Sequence, residues 1–184
     1  KYALTLVDIG TDWEGFYPMT NRTTKEAERT FRHFAGKNVI QEFYSGNAPE
    51  LSAAAEELDW VHPTSTPFLS KRNGKAERRM ELMEDGTATA LRTAGFPDNM
   101  WDIGGEYQST ARNFEIRNGD SGYNKRHQKG HFPGTMAVLG QLVYMVPPEP
   151  CKKLLPKFSK NTPCIFMGWQ MQPGGIWAKS YKVA

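Results

Sequence analysis

The sequence predicts a mixed α/β fold, a sheet covered by helices, followed by a small β-rich module. Two strand-forming runs come first as a pair, and further strand runs then alternate with segments of helical periodicity. The texture and the charge both change past the middle of the chain. Residues 1–120 hold 14 Lys and Arg against 19 acids, whereas residues 121–184 hold nine against Glu149 alone, with Gly130, Pro133 and Gly134 marking the transition. The domains are therefore placed at 1–120 and 121–184. With 39% hydrophobic and 12% aromatic residues in 184, the chain can bury a core of its own. No apolar run approaches the roughly 18 residues of a membrane helix, so no membrane partner is expected, and the abrupt start at Lys1-Tyr2-Ala3-Leu4 reads as a piece of a longer protein.

In order, Tyr2 to Val7 is rich in strand formers and delivers Asp8 at its end, Gly10 turns the chain, and Trp13–Met19 returns as a second strand. Thr23-Thr24-Lys25-Glu26 is a capping box, and Ala27, Phe31 and Phe34 give the apolar stripe of a helix that Gly36 stops. Val39 to Tyr44 reads as a third strand. Pro49 suits the first turn of a helix whose stripe is Leu51, Ala54, Ala55 and Leu58, and Trp60-Val61-His62 is a brief strand before a loop. Asn73 caps a long helix to about Thr93, with Ala76, Met80, Met83, Ala90 and Leu91 on one face and Gly95 at its end. A further helix starts after Pro97, although Gly104-Gly105 inside it costs on the order of 1 kcal/mol per glycine. Past residue 130, Thr135–Val146 is strand-like, and Cys164–Trp169 and Ile176–Val183 form a hairpin around Gln172-Pro173-Gly174-Gly175. Its aromatics Phe166, Trp169, Trp177 and Tyr181 are expected to build a compact core.

The stretch Asn73-Gly74-Lys75-Ala76-Glu77-Arg78 places Glu77 near the start of the long helix beside Lys71, Arg72, Lys75, Arg78 and Arg79. Cations there gain nothing from the helix dipole, so they suit an external polyanion. A second basic group runs through Lys125-Arg126-His127-Gln128-Lys129, and a third through Lys152, Lys153, Lys157 and Lys160, interleaved with aromatics. That pattern fits nucleic-acid phosphates, and a solvated charged surface fits it about as well. Cys151 and Cys164 have no paired spacing to the four histidines, so neither a zinc site nor a disulfide framework is expected.

Several separate stretches occur in an order that resembles one family. Leu6-Val7-Asp8, Phe43-Tyr44-Ser45-Gly46-Asn47-Ala48-Pro49-Glu50-Leu51, Thr66-Pro67 and Asn73–Arg78 are similar to the catalytic core of retroviral-type integrases, specifically the copia-like retrotransposon branch. Phe96–Trp101, Leu139–Tyr144 and Cys164–Trp169 are similar to the segments that follow that core in those polyproteins. The resemblance implies a ribonuclease-H-like mixed sheet flanked by helices, polynucleotidyl transfer of retroelement DNA, DNA partners, assembly of copies, and a nuclear or cytoplasmic-particle setting. It also implies Mg²⁺ or Mn²⁺. Two such ions roughly 4 Å apart activate the attacking oxygen and stabilise the leaving one, and they take carboxylate ligands.

Matched residue by residue, the family's first acidic ligand falls on Asp8 and its third on Glu77. The second falls on Gly46, which has no side-chain oxygen. Ser45, Asp12 and Glu50 are neighbours, of which Ser45 is neutral and Glu50 suits the dipole of its own helix. With the acidic triad incomplete, metal binding is expected to be weakened and transfer impaired. Two readings stand: an integrase-type enzyme domain, or an inactive DNA-binding or interaction module of the same ancestry. The double glycine at 104–105 reads as a second sign of relaxed constraint. The defect at Gly46 reads as local, so that Gly46→Asp is expected to restore metal-dependent activity.

Overall fold

The computed structural model describes residues 2–64, 74–146 and 161–184, without the side chains of Lys75 and Ala76. It opens with the expected hairpin: β1 (Tyr2–Asp8) pairs antiparallel with β2 (Trp13–Met19) in a register from Tyr2↔Met19 to Asp8↔Trp13. Because side chains alternate along a strand, the hairpin has two working faces. Leu4, Leu6 and Trp13 pack with Phe31 and Phe34 of α1 (Thr24–Ala35). On the opposite face, Phe16 meets Trp101 edge-on at 5.9 Å at the start of α4 (Trp101–Phe114). The hairpin thus lies between helices.

Helix α1 begins as the capping box implies, with the Thr23 hydroxyl accepting from the Glu26 amide at 3.3 Å, and ends at Gly36 with φ of 60°. Helix α2 (Pro49–Glu56) starts on its proline and buries Ala54 and Ala55 completely. Between them the expected strand at Val39–Tyr44 is reduced to one isolated parallel bridge, Glu42↔Val61, with a second, Ser45↔Thr64, just past its end, and the brief strand at 60–62 to one bridge residue. Val39 and Val61 are exposed while Phe43 packs on Phe31 and Trp60, so the segment is anchored by one aromatic and gains little elsewhere.

Helix α3 (Gly74–Ala94) buries Met83 and Leu91 as the stripe requires, but Met80 is exposed. Asn73, the expected cap, and Thr66-Pro67 lie outside the described residues. Helix α4 carries Gly104 and Gly105 on its buried side, against α3 and the hairpin. A Cβ on Gly104 would stand 2.9 Å from Leu91 Cγ, and one on Gly105 only 2.3 Å from Phe16 Cε1. Close packing demands both glycines, so they are not signs of relaxed constraint.

A two-residue ladder, β3 (Ile116–Arg117) with β4 (Asp120–Ser121), leads into the short helix α5 (Gly122–His127), capped by the Ser121 hydroxyl. The last sheet has the order β5 (Leu142–Met145), β6 (Thr162–Gln172), β7 (Ile176–Val183), all antiparallel. Of the strand expected at Thr135–Val146, only Leu142–Met145 forms one. A register shift between Phe166 and Gly168, whose φ is 136°, lets Trp169 follow Phe166 into the core. These two rings gather Phe114, Tyr107, Phe132 and Trp177, so Phe166, Trp169 and Trp177 belong to the core as expected, whereas Tyr181 is exposed at its edge.

Candidate active site

The first turns of α3 lie over the tip of the β1–β2 hairpin. Arg79 reaches from the helix to the carboxylates of Asp12 and Glu14, the latter at 2.5 Å. Arg112 of α4 closes on the other side of Glu14 at 3.1 Å, and Asn113 exchanges two hydrogen bonds with the Glu14 backbone, 2.8 and 2.7 Å long. The Glu14 side chain is 1% exposed, a charge sustained in the interior because two guanidinium groups face it. Nothing local in the sequence marks Glu14, because its partners are 65 and 98 residues away.

Asp8 ends β1 at the same tip. Its Oδ1 accepts the Gly10 amide at 3.0 Å, and its Oδ2 accepts the Thr11 hydroxyl at 2.7 Å and Nη1 of Arg126 at 3.5 Å. Glu77 is exposed and has no hydrogen-bond or ion-pair partner among the described residues. Gly46 belongs to the segment bridged to Val61 and Thr64, and no hydrogen bond among the described residues joins that segment to β1. Its carbonyl accepts the Ser45 hydroxyl at 2.9 Å. With its one proton so placed, Ser45 Oγ takes Nε2–H of His62 at 2.8 Å. His62 stacks on Phe43 at 4.9 Å, and burial holds its pKa below the ordinary value.

A pair of divalent cations needs several carboxylate oxygens turned toward one point. Here both Asp8 oxygens are engaged by internal donors, one of them a guanidinium, and Gly46, expected from the sequence at the second ligand position, offers a satisfied carbonyl beside a Ser–His pair. Among the described residues no group of three or more His, Cys, Asp or Glu is arranged to hold a metal ion. The donor set does not fit a two-cation centre. Asp12 is paired with Arg79 and with Arg117 at 3.6 Å, so it is not free to serve as a replacement ligand.

The basic residues divide. Arg78 is exposed and pairs with Glu81 one turn on at 3.0 Å, leaving donors free toward solvent. Lys71, Arg72, Lys152, Lys153, Lys157 and Lys160 lie outside the described residues, as does the side chain of Lys75. In the run 125–129 the expectation of a phosphate-facing surface fails at its centre. Arg126 is 2% exposed, and the His127 ring bonds the Gly175 carbonyl at 3.0 Å, because the last turn of α5 points into the protein.

No protein-family model and no curated protein matches the chain. Solved structures do. The catalytic core domain of BIV integrase aligns at a TM-score of 0.50 and 14% identity, over 65% of this chain and 81% of that one. The simian T-cell lymphotropic virus intasome, solved in complex with PP2A regulatory subunit B56 gamma, aligns at 0.54 and 16% identity over 97% of this chain and 68% of that one. At such identities the likeness is one of fold: the chain has the ribonuclease-H-like arrangement of integrase cores, followed by a sheet-forming C-terminal region.

Proposed function

We propose that the chain is an integrase-type domain from a copia-like retroelement that binds DNA but no longer carries out metal-dependent strand transfer. One observation carries this reading: on an integrase-core fold, the carboxylate expected to bind metal is held by Gly10, Thr11 and Arg126, and the second acidic position is Gly46. In-line phosphoryl transfer by two ions depends on charge that this donor set does not provide. DNA binding makes no such demand, since cations neutralising phosphates need neither metal nor exact alignment. The excess of Lys and Arg in residues 121–184 supports it, as does Arg78 at the start of α3.

The test is binding of a fluorescent duplex across a salt series. Affinity should fall steeply as salt rises. Replacing Lys152, Lys153, Lys157 and Lys160 together by alanine should flatten the plot of log affinity against log salt by up to about 3 to 4 units, near 0.9 per lost phosphate contact. An unchanged slope would place the contacts elsewhere, and absence of salt-dependent binding would overturn the reading.

A further inference from the structure

We propose that Arg126 is the resident cation of the Asp8 site, supplied by the C-terminal region where the fold's relatives would be expected to use a divalent ion. The inference rests on the reading above only for what a metal would have done at Asp8. Its structural grounds are independent of that reading. The guanidinium sits where three parts of the chain meet: Nη1 on Asp8 Oδ2 at 3.5 Å, Nη2 on the Phe34 carbonyl at 2.5 Å at the end of α1, and Nε on the Gly174 carbonyl at 3.0 Å in the turn before β7. Its faces are covered by Trp13 and Phe34, with ring centres 5.4 and 4.9 Å away.

A guanidinium that is 2% exposed needs an anion, and Asp8 is the one carboxylate it reaches among the described residues. The planar fork presents its donors in fixed directions to an acid and two carbonyls at once and stacks its faces on aromatic rings, unlike the compact charge of an ammonium group. The chain is also shaped to bring the three acceptors together. Gly36 and Gly174 approach so closely that a Cβ on Gly36 would stand 2.5 Å from the Gly174 Cα, and both have positive φ. His127, the next residue of α5, bonds the Gly175 carbonyl of the same turn. Asp8 is thereby a structural anchor for the C-terminal region, and its affinity for a divalent ion is given up to Arg126.

The experiment measures Mn²⁺ binding by water-proton relaxation and thermal unfolding, with and without millimolar Mn²⁺, on the whole chain. The wild type should take up no Mn²⁺ through Asp8, so its relaxation signal and Tm should match those of Asp8→Asn in their response to the ion. Asp8→Asn should itself lower the Tm by on the order of 10 °C, because it leaves the buried guanidinium uncompensated. Arg126→Gln should free the carboxylate and gain Mn²⁺ binding and an ion-dependent rise in Tm, both abolished by adding Asp8→Asn. If Arg126→Gln does not fold, the Asp8→Asn shift decides. Wild-type Mn²⁺ binding that Asp8→Asn removes, an unaltered Tm in Asp8→Asn, or a folded Arg126→Gln without Mn²⁺ response would each overturn the proposal. These results test the metal half of the proposed function together with this inference, whereas its DNA-binding half stands or falls on the salt series alone.

Discussion

Glu14 lies between the guanidinium groups of Arg79 and Arg112 and is joined through Arg79 to Asp12, which also faces Arg117. This network fastens the hairpin to both helices on one of its faces. Removing the acid while keeping its size, as in Glu14→Gln, leaves two partly buried cations underpaired, Arg79 with Asp12 still beside it, and should cost about 2–3 kcal/mol, measured as a shift in urea midpoint at constant slope. A loss under 1 kcal/mol would show that solvent screens the network. Three histidines supply a second residue-scale expectation. His33, His62 and His127 all have pKa values lowered, first by burial, and for His127 the Gly175 carbonyl opposes the shift. A histidine harder to protonate when folded leaves the unfolded chain binding more protons, so stability is full above the unfolded value near 6.5 and falls as pH drops below it. Unfolding followed from pH 7.5 to 5.5 should show a declining Tm, and a flat profile would contradict the burial of these rings. Gly46→Asp alone should not restore nicking, contrary to what the sequence suggests, because Asp8 stays engaged by Arg126 and Thr11.

At the scale of elements, α4 is held at short range from α3 and β2 by two glycines that look like weaknesses in the sequence. Gly105→Ala should gain helix propensity of about 1 kcal/mol yet lose more to the collision with Phe16, for a net loss of about 1–3 kcal/mol in chemical denaturation. A stabilised variant would mean that the helices can separate without penalty. Elements whose signals are local were legible in the sequence: the hairpin at 2–19, the capped α1, the proline-led α2 and the β6–β7 hairpin match their expected places. The strand expected at Val39–Tyr44 was not, because β-forming composition yields a strand only where a neighbour pairs with it along its length. The places of Asp8 at the hairpin tip and of Glu77 near the start of α3 were legible in the sequence. The clamp on Asp8 was not, since Arg126 is 118 residues away and sits in a run that reads as a phosphate-facing or solvated surface.

Across the whole molecule, Tyr123 and Met171 pack against both hydrophobic clusters, and α4 contributes Phe114 to the C-terminal one. Two regions of opposite charge thus share apolar surface as well as the Arg126 anchor. We expect them to unfold together: near-ultraviolet dichroism, which follows the aromatics of the C-terminal cluster, should coincide with helix loss at 222 nm in one transition. Separate midpoints would show that residues 1–120 and 121–184 are independent. The proposed role for the whole is DNA binding by an integrase-type fold without turnover. The most direct measurement incubates the chain with a labelled long-terminal-repeat duplex in Mn²⁺ and follows anisotropy and strand length in the same samples. The account predicts a salt-sensitive rise in anisotropy with the duplex left at full length. Shortened or joined strands that need Mn²⁺ and disappear in Asp8→Asn or Glu77→Gln would contradict it.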